Sequence, residues 1–124
     1  MDVVDSSGWI EFFKASPNGP IFKPVIEDRA RLLVPTISLF EVDRVLSCAL
    51  PVAIVGSCLD VMHYGRVLDL TDRRAIAAAK AAARHGLALA DAAIYSMALE
   101  HAATLWTQHA DCQGLPGLSY SAKP

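Results

Sequence analysis

The sequence predicts an α/β fold, a parallel sheet with helices on its faces. Three observations carry this. Short apolar strands alternate with helical segments along the chain. The strands are continuous apolar runs, as expected of strands buried on both faces. The 124 residues are 53% hydrophobic and 19% charged, which is the composition of a globular unit with a real core and not of a disordered chain. Residues 1–124 are expected to form one domain.

Val3 and Val4 mark a first short strand, followed by a helix from about Ser6. Trp9, Phe12 and Phe13 share the i, i+3, i+4 spacing of one helical face. Ser16-Pro17-Asn18-Gly19-Pro20 reads as a turn, and a second helix is expected from Pro24 to Arg31. Leu32-Leu33-Val34 is a second strand closed by Pro35. A helix follows from Ser38 to about Leu50, Pro51 breaks it, and another runs from Val52 to His63. Arg66 to Leu70 is the third strand. Thr71 is a good N-cap, Asp72 suits the first turn, and the Ala-rich stretch Ala75–Arg84 has high helix propensity up to a stop at Gly86. Leu89 to Glu100 is helical, Ala103 to Trp106 is the fourth strand, and Leu118 to Tyr120 follows a Gly114–Gly117 turn as a last edge strand.

Several classes of protein are disfavoured. With a first strand at Asp2, no leader peptide is expected. The longest uncharged run, Val45 to Leu59, contains Pro51 and Gly56 and is shorter than the roughly 20 apolar residues of a membrane span. Cys48, Cys58 and Cys112 have no zinc-ligand spacing. They read as reduced thiols of a cytoplasmic protein, mostly filling the core. The net charge of -2 decides nothing about nucleic acid. If four of the thirteen acids bind cations, nine remain against eleven bases.

Those four acids are Asp5, Glu41, Asp91 and Asp111. The first three lie where a strand is expected to hand over to a helix, each in apolar sequence. A carboxylate is costly among apolar neighbours unless paired or metal-bound. Carboxylates gathered at the carboxyl edge of a parallel sheet, where ligands bind, would cage a hard divalent cation. Each also has a plainer reading. Asp5 could cap a helix. Ser38-Leu39-Phe40-Glu41 matches a capping box. Asp91 could be a first-turn helix acid, and Asp111 a solvated loop residue. His63, His85 and His101 lack i+4 partners and read as surface or core-edge residues. No Gly-rich phosphate loop or nucleophile elbow is present. Arg44, three residues after Glu41, shares its stretch of helix surface.

In chain order, these segments resemble the PIN-domain family, and within it the VapC-type toxin ribonucleases of bacterial toxin–antitoxin pairs. Val3-Val4-Asp5-Ser6-Ser7 is similar to the family's first motif. Ile37-Ser38-Leu39-Phe40-Glu41-Val42 is similar to the second, Leu87-Ala88-Leu89-Ala90-Asp91-Ala92-Ala93-Ile94 to the third, and Ala103 through Asp111 to the fourth. The likeness spans essentially the whole chain. It implies a three-layer α/β/α sandwich with a short central parallel sheet, Mg²⁺- or Mn²⁺-dependent RNA cleavage, a homodimer, and inhibition by a cognate antitoxin. By the same resemblance Asp5, Glu41, Asp91 and Asp111 are catalytic. Asp5 and Asp91 would hold metal directly, Glu41 would orient a water, and Ser7 or Thr107 would add supporting hydrogen bonds. The family's ending usually reads Thr-x-Asp-x-Asp-Phe. Here His109 replaces the first Asp and Cys112 the Phe. His109 reads equally as an exposed loop residue with Asp111 doing the acid's work, or as lining the site, in which case a second metal should bind weakly and activity should favour Mn²⁺ over Mg²⁺.

Two other functions compete. A phospho-accepting receiver domain would need adjacent acids after the first strand, an acceptor Asp after the third and a late Lys. Here Ser6 follows Asp5, Thr71 follows the third strand, and Lys123 is at the extreme tail. The live alternative is a PIN-like module with weakened or absent catalysis that acts through protein-partner binding. Trp9, Phe12 and Phe13 read as core or as a dimer contact, with more aromatic surface than one short helix usually needs, and the acidic groove would accept an Arg from an inhibitor.

Overall fold

The computed structural model describes residues 1–124. Five parallel strands form one sheet: β1 (Asp2–Val4), β2 (Leu32–Pro35), β3 (Arg66–Leu68), β4 (Thr104–Thr107) and β5 (Leu118–Tyr120), in the order β3-β2-β1-β4-β5. Six helices connect them: α1 (Ser6–Phe13), α2 (Gly19–Glu27), α3 (Thr36–Leu46), α4 (Val52–Met62), α5 (Asp72–His85) and α6 (Leu89–Glu100). Strand alternation divides the core into two layers. Val4, Leu32 and Val34 point to the face covered by α1–α4 and pack with Trp9, Phe22, Ile26, Leu46 and Met62. Val3, Leu33 and Leu105 point to the face covered by α5 and α6 and pack with Ile94, Met97 and Ala98. The result is the three-layer α/β/α sandwich, in which the inner strands β1 and β2 are apolar because both their faces are buried.

The strand order places the site. The chain winds outward through β1, β2 and β3, then returns to lay β4 against the other edge of β1, pairing Val3 with Leu105 and Val4 with Trp106. The connections from β1 and from β4 therefore depart in opposite directions and leave a crevice at their carboxyl ends, where ligands of open parallel sheets bind. Asp5 and Thr107 sit at this switch point.

Two expected helix boundaries are corrected, and those of the fifth helix are met. The second helix starts at Gly19 and ends at Glu27, five residues before its expected start and four before its expected end. Pro20 lies in its first turn, where no intrahelical N–H is needed, so the expected turn residues start the helix. The third helix begins at Thr36 with Pro35 as its cap residue, and ends at Leu46. Ser38 is therefore inside the helix, so the Ser38–Glu41 capping box is absent and Glu41 lies mid-helix. The fifth begins at Asp72, where the Thr71 hydroxyl accepts from Arg74 N at 3.3 Å, and Gly86 closes it in the left-handed region at φ 67°.

The aromatic expectation also changes. Trp9 is fully buried and stacks on Phe13 with ring centroids 5.7 Å apart, while Phe12 and Phe13 are partly buried against the same core. These rings seat α1 on the sheet, which is the core reading of this face. Of the cysteines, all free, only Cys112 is buried; Cys48 is exposed.

The seat of α1 is tight at Gly8. A Cβ there would lie 2.7 Å from Val4 Cγ1 and 2.9 Å from two Phe22 ring carbons. Gly8→Ala is expected to cost about 1–3 kcal/mol by overpacking, read as a lower urea midpoint at unchanged slope. An unchanged midpoint would show that Phe22 moves aside freely.

Candidate active site

Four separate parts of the chain bring carboxylates to one cleft of about 450 Å³ at the switch point. Asp5 comes from the end of β1, Glu41 from the middle of α3, Asp91 from the first turn of α6, and Asp111 from the single 3₁₀ turn after β4. His109, Arg44 and Ser6 line the same cleft. The structure thus brings together all four acids read from the sequence, and α3 packs against α6 to do so.

Asp5 is the most enclosed, at 4% exposure. One oxygen, Oδ1, accepts from Gly8 N at 2.9 Å and from the Ser7 hydroxyl at 2.7 Å. The other, Oδ2, accepts from the Thr107 hydroxyl. Thr107 Oγ1 in turn accepts from His109 N at 2.9 Å. The N-cap reading of Asp5 is therefore correct and compatible with a site role, because capping uses Oδ1 while Oδ2 accepts only from Thr107 and keeps one lone pair for a ligand. Ser7 and Thr107 make the hydrogen bonds expected of them. A second set of bonds fixes β4 beside α1: Gln108 Nε2 donates to Glu11 Oε2 at 3.1 Å, and Asn18 Nδ2 donates to Gln108 Oε1 at 3.0 Å.

Asp91 is half-buried, Glu41 partly buried and Asp111 exposed. His109 is also partly exposed and sits with Nδ1 3.1 Å from Asp91 Oδ2. It lines the cleft and is not a free loop residue. That nitrogen is shut from solvent, and its contact with Asp91 lacks hydrogen-bond geometry. The reading that Asp111 stands in a solvated loop is correct for its exposure, yet it faces the same cleft.

Burial pushes the Asp5 carboxyl above the ordinary aspartate range, against the lowering effect of its hydrogen bonds and of His109. Burial also raises Asp91. His109 opposes that rise, while the charges of Asp5, Glu41 and Asp111 add to it. Cys112, behind the site, is pushed up to about 12, chiefly by burial and then by Asp91, Asp5 and Asp111. Mutual repulsion among acids is the electrostatic state that a bound cation relieves.

This has a measurable consequence. Asp5 and Asp91 bind protons more tightly folded than unfolded, so the folded state carries more protons just above the ordinary aspartate value near about pH 4. Stability from these two groups falls as pH rises through that window. In chelator, Asp91→Asn is expected to flatten the decline of melting temperature between about pH 4 and pH 7. Identical slopes in parent and variant would show that Asp91 is not strained by its neighbours.

Arg44 is the residue least visible in the sequence. It lines the cleft on the same helix as Glu41 and makes no ion pair. Its i+3 spacing from Glu41 was the signal, but two residues three apart on a helix need not face the same cleft.

A family model described as PIN domain matches residues 3–112, and the chain belongs to the PIN-domain family. No curated protein matches it. Among solved structures it is similar to a toxin–antitoxin complex from Klebsiella pneumoniae, at 18% identity and TM-score 0.80 over 96% of each chain. It is also similar to DNA-bound VapBC from Salmonella typhimurium, at 20% identity and TM-score 0.75 over 97% of this chain and 96% of that one. VapBC2 from Rickettsia felis, bound to a DNA fragment from their promoter, aligns at 15% identity and TM-score 0.72 over 98% of both. At these identities the likeness shows the fold. No helix is long and apolar enough to cross a membrane.

Proposed function

We propose that this chain is the toxin of a VapC-type toxin–antitoxin pair, a cytoplasmic endoribonuclease that hydrolyses RNA phosphodiester bonds with Mg²⁺ or Mn²⁺. The observation that carries the reading is the convergence of Asp5, Glu41, Asp91 and Asp111 from four elements on one cleft at the sheet's switch point. RNA as the substrate follows from the family resemblance.

The donor set suits a hard divalent cation. It is rich in carboxylate oxygen, and Asp91 is held above its ordinary range partly by its acidic neighbours, a state that favours cation uptake. Asp5 and Asp91 would hold the ion, with Ser7 and Thr107 fixing the orientation of Asp5. When bound, the cation lowers the pKa of a water and offsets charge on the leaving oxygen. Glu41, which lines the same cleft, would orient the attacking water. Arg44 supplies the positive charge that the acids lack and engages the phosphodiester from the rim, fixing its position.

Antitoxin binding and a homodimer belong to the same proposal. The solved neighbours include toxin–antitoxin complexes. An apolar cavity of about 330 Å³ between α5 and α6, edged by exposed Leu89 and Leu70, adjoins the cleft through the first turn of α6. An antitoxin helix would cover it and bring an Arg to the carboxylates. The test joins biochemistry to genetics: the purified chain should cleave RNA in Mn²⁺ or Mg²⁺ and not in chelator, and its toxicity should be relieved by the adjacent small reading frame. Failure of both outcomes removes the reading.

One observation favours a second reading, a PIN module that acts through partner binding with weakened catalysis. His109 Nδ1 lies against Asp91 Oδ2, where it competes with a cation for the carboxylate. Antitoxin binding without cleavage in either metal would select it.

A further inference from the structure

A second donor set overlaps the carboxylate cleft and has different chemistry. One ligand atom each from Asp91, His109 and Cys112 lie within 4.8 Å of one another. The local fold explains the meeting. The chain after β4 makes a 3₁₀ turn over Ala110–Cys112, with Cys112 N donating to His109 O at 3.1 Å. His109 caps this turn in extended backbone and Cys112 ends it, and the turn brings imidazole and thiol together beside the Asp91 carboxylate of the first turn of α6. His109 Nδ1 is buried and without a hydrogen bond, and the Cys112 thiol is free and enclosed. A ring nitrogen that lies against a carboxylate without a hydrogen bond, and a free thiol beside both, leave unused coordinating capacity at one point.

We propose that Asp91, His109 and Cys112 bind one borderline transition-metal cation of the Zn²⁺ class, and that this cation competes with the hard cation in the cleft. Mixed oxygen, nitrogen and sulfur donors select Zn²⁺ or Co²⁺ over Mg²⁺. Three protein ligands with the fourth position open to the cleft match a zinc site that keeps a place for water or a phosphate oxygen. Bond lengths of about 2.0–2.3 Å place tetrahedral ligand atoms roughly 3.5 Å apart, a contraction that the partly exposed His109 ring can provide by rotation. The thiol gives up its proton on coordination. Asp91 is common to both sites, so Zn²⁺ there removes a ligand from the oxygen cage. The two donors foreign to that cage, His109 and Cys112, are the two positions where this chain departs from the family's usual ending. The metal site stands on its own; the competition rests on the nuclease reading.

The experiment is a Co²⁺ titration of the full chain, followed by absorption. A near-ultraviolet thiolate-to-cobalt charge-transfer band saturating at one equivalent, erased by Zn²⁺, is expected. Cys112→Ala should remove the band, while Cys48→Ser and Cys58→Ser should keep it. Because Cys112 is in the core, His109→Asn provides the fold-safe variant and should weaken Co²⁺ binding by at least about tenfold. Absence of the band, or a band surviving both Cys112→Ala and His109→Asn, overturns the site. Saturating Mg²⁺ should raise the apparent Co²⁺ dissociation constant; an unmoved constant overturns the competition. Asp5→Asn separates the two proposals. It should retain the band whether or not the chain cleaves RNA, so loss of the nuclease reading leaves the Co²⁺ result intact.

Discussion

Asp5→Asn and Asp91→Asn are each expected to lower metal-dependent RNA cleavage by about 10³-fold while leaving the fold intact. The size follows from what is removed. A cation at a reacting phosphate supplies several kcal/mol of charge stabilisation, and each 1.36 kcal/mol is about tenfold in rate. Asn keeps the shape and one acceptor oxygen, so Gly8 N can still cap into the side chain at position 5 and α1 keeps its start. What Asn cannot do is offer an anionic oxygen. The second half of the prediction separates a site effect from a folding effect. Asp5 and Asp91 are both raised by burial, and Asp91 also by its acidic neighbours. Neutralising either group therefore removes a charge that the cation-free fold holds at a cost. In chelator at neutral pH the melting temperature of both variants should equal or exceed the parent's. In saturating Mn²⁺ the order should reverse, because only the parent gains binding stabilisation. Cleavage that survives in Asp91→Asn would remove Asp91 from the metal site. A melting temperature well below the parent's in chelator would show that the carboxylates are structural.

Sequence reasoning reached the fold because pattern and burial agree at the inner strands. Val3 and Val4 face opposite layers, and both layers are apolar, so the run has to be a strand enclosed on both sides. Asp5 was legible for a related reason: a carboxylate at the end of a buried strand has nowhere apolar to go. Its capping and site readings were treated as rivals, but its two oxygens carry different bonds, so both hold. Glu41 was placed on the right element with the wrong local role. Ser38 looked like a cap, yet β2 runs through Pro35 and α3 begins at once, which moves Glu41 to mid-helix. Local cap patterns say nothing about where the preceding strand ends. For Trp9, Phe12 and Phe13 the sequence leaves core and dimer contact open, because helical spacing cannot tell a face packed on its own sheet from one awaiting a partner; Trp9 is core. The ligand chemistry of Cys112 was not legible. Its meeting with Asp91 requires the third crossover and the 3₁₀ turn together, over 21 residues of sequence separation that carry no periodic signal.

His109→Asp is expected to raise Mg²⁺ affinity by about tenfold and to increase cleavage in Mg²⁺. Position 109 lines the same cleft as the four acids, and its ring sits 3.1 Å from the Asp91 carboxylate. There it both lowers Asp91 and occupies the side from which a cation must approach. Imidazole is a poor ligand for Mg²⁺, which demands oxygen, and a better one for Mn²⁺. The parent should therefore be more active in Mn²⁺ than in Mg²⁺, and the variant should narrow that ratio. A gain of about 1.4 kcal/mol, tenfold, is a modest expectation for one added carboxylate at a partly exposed position. The substitution carries a built-in cost that checks the assignment. It replaces a group that stabilises the Asp91 charge by one that repels it, so in chelator the variant should melt below the parent. Mg²⁺ should restore the difference. The same change removes a ring nitrogen from the Asp91–His109–Cys112 set, so tight Co²⁺ binding should be lost as Mg²⁺ binding is gained. Opposite movement of the two affinities in one variant is the outcome that a merely structural His109 cannot produce. An unchanged Mg²⁺ dependence, with melting temperature and Co²⁺ binding like the parent's, would make His109 a bystander and leave Asp111 to supply the fourth acid alone.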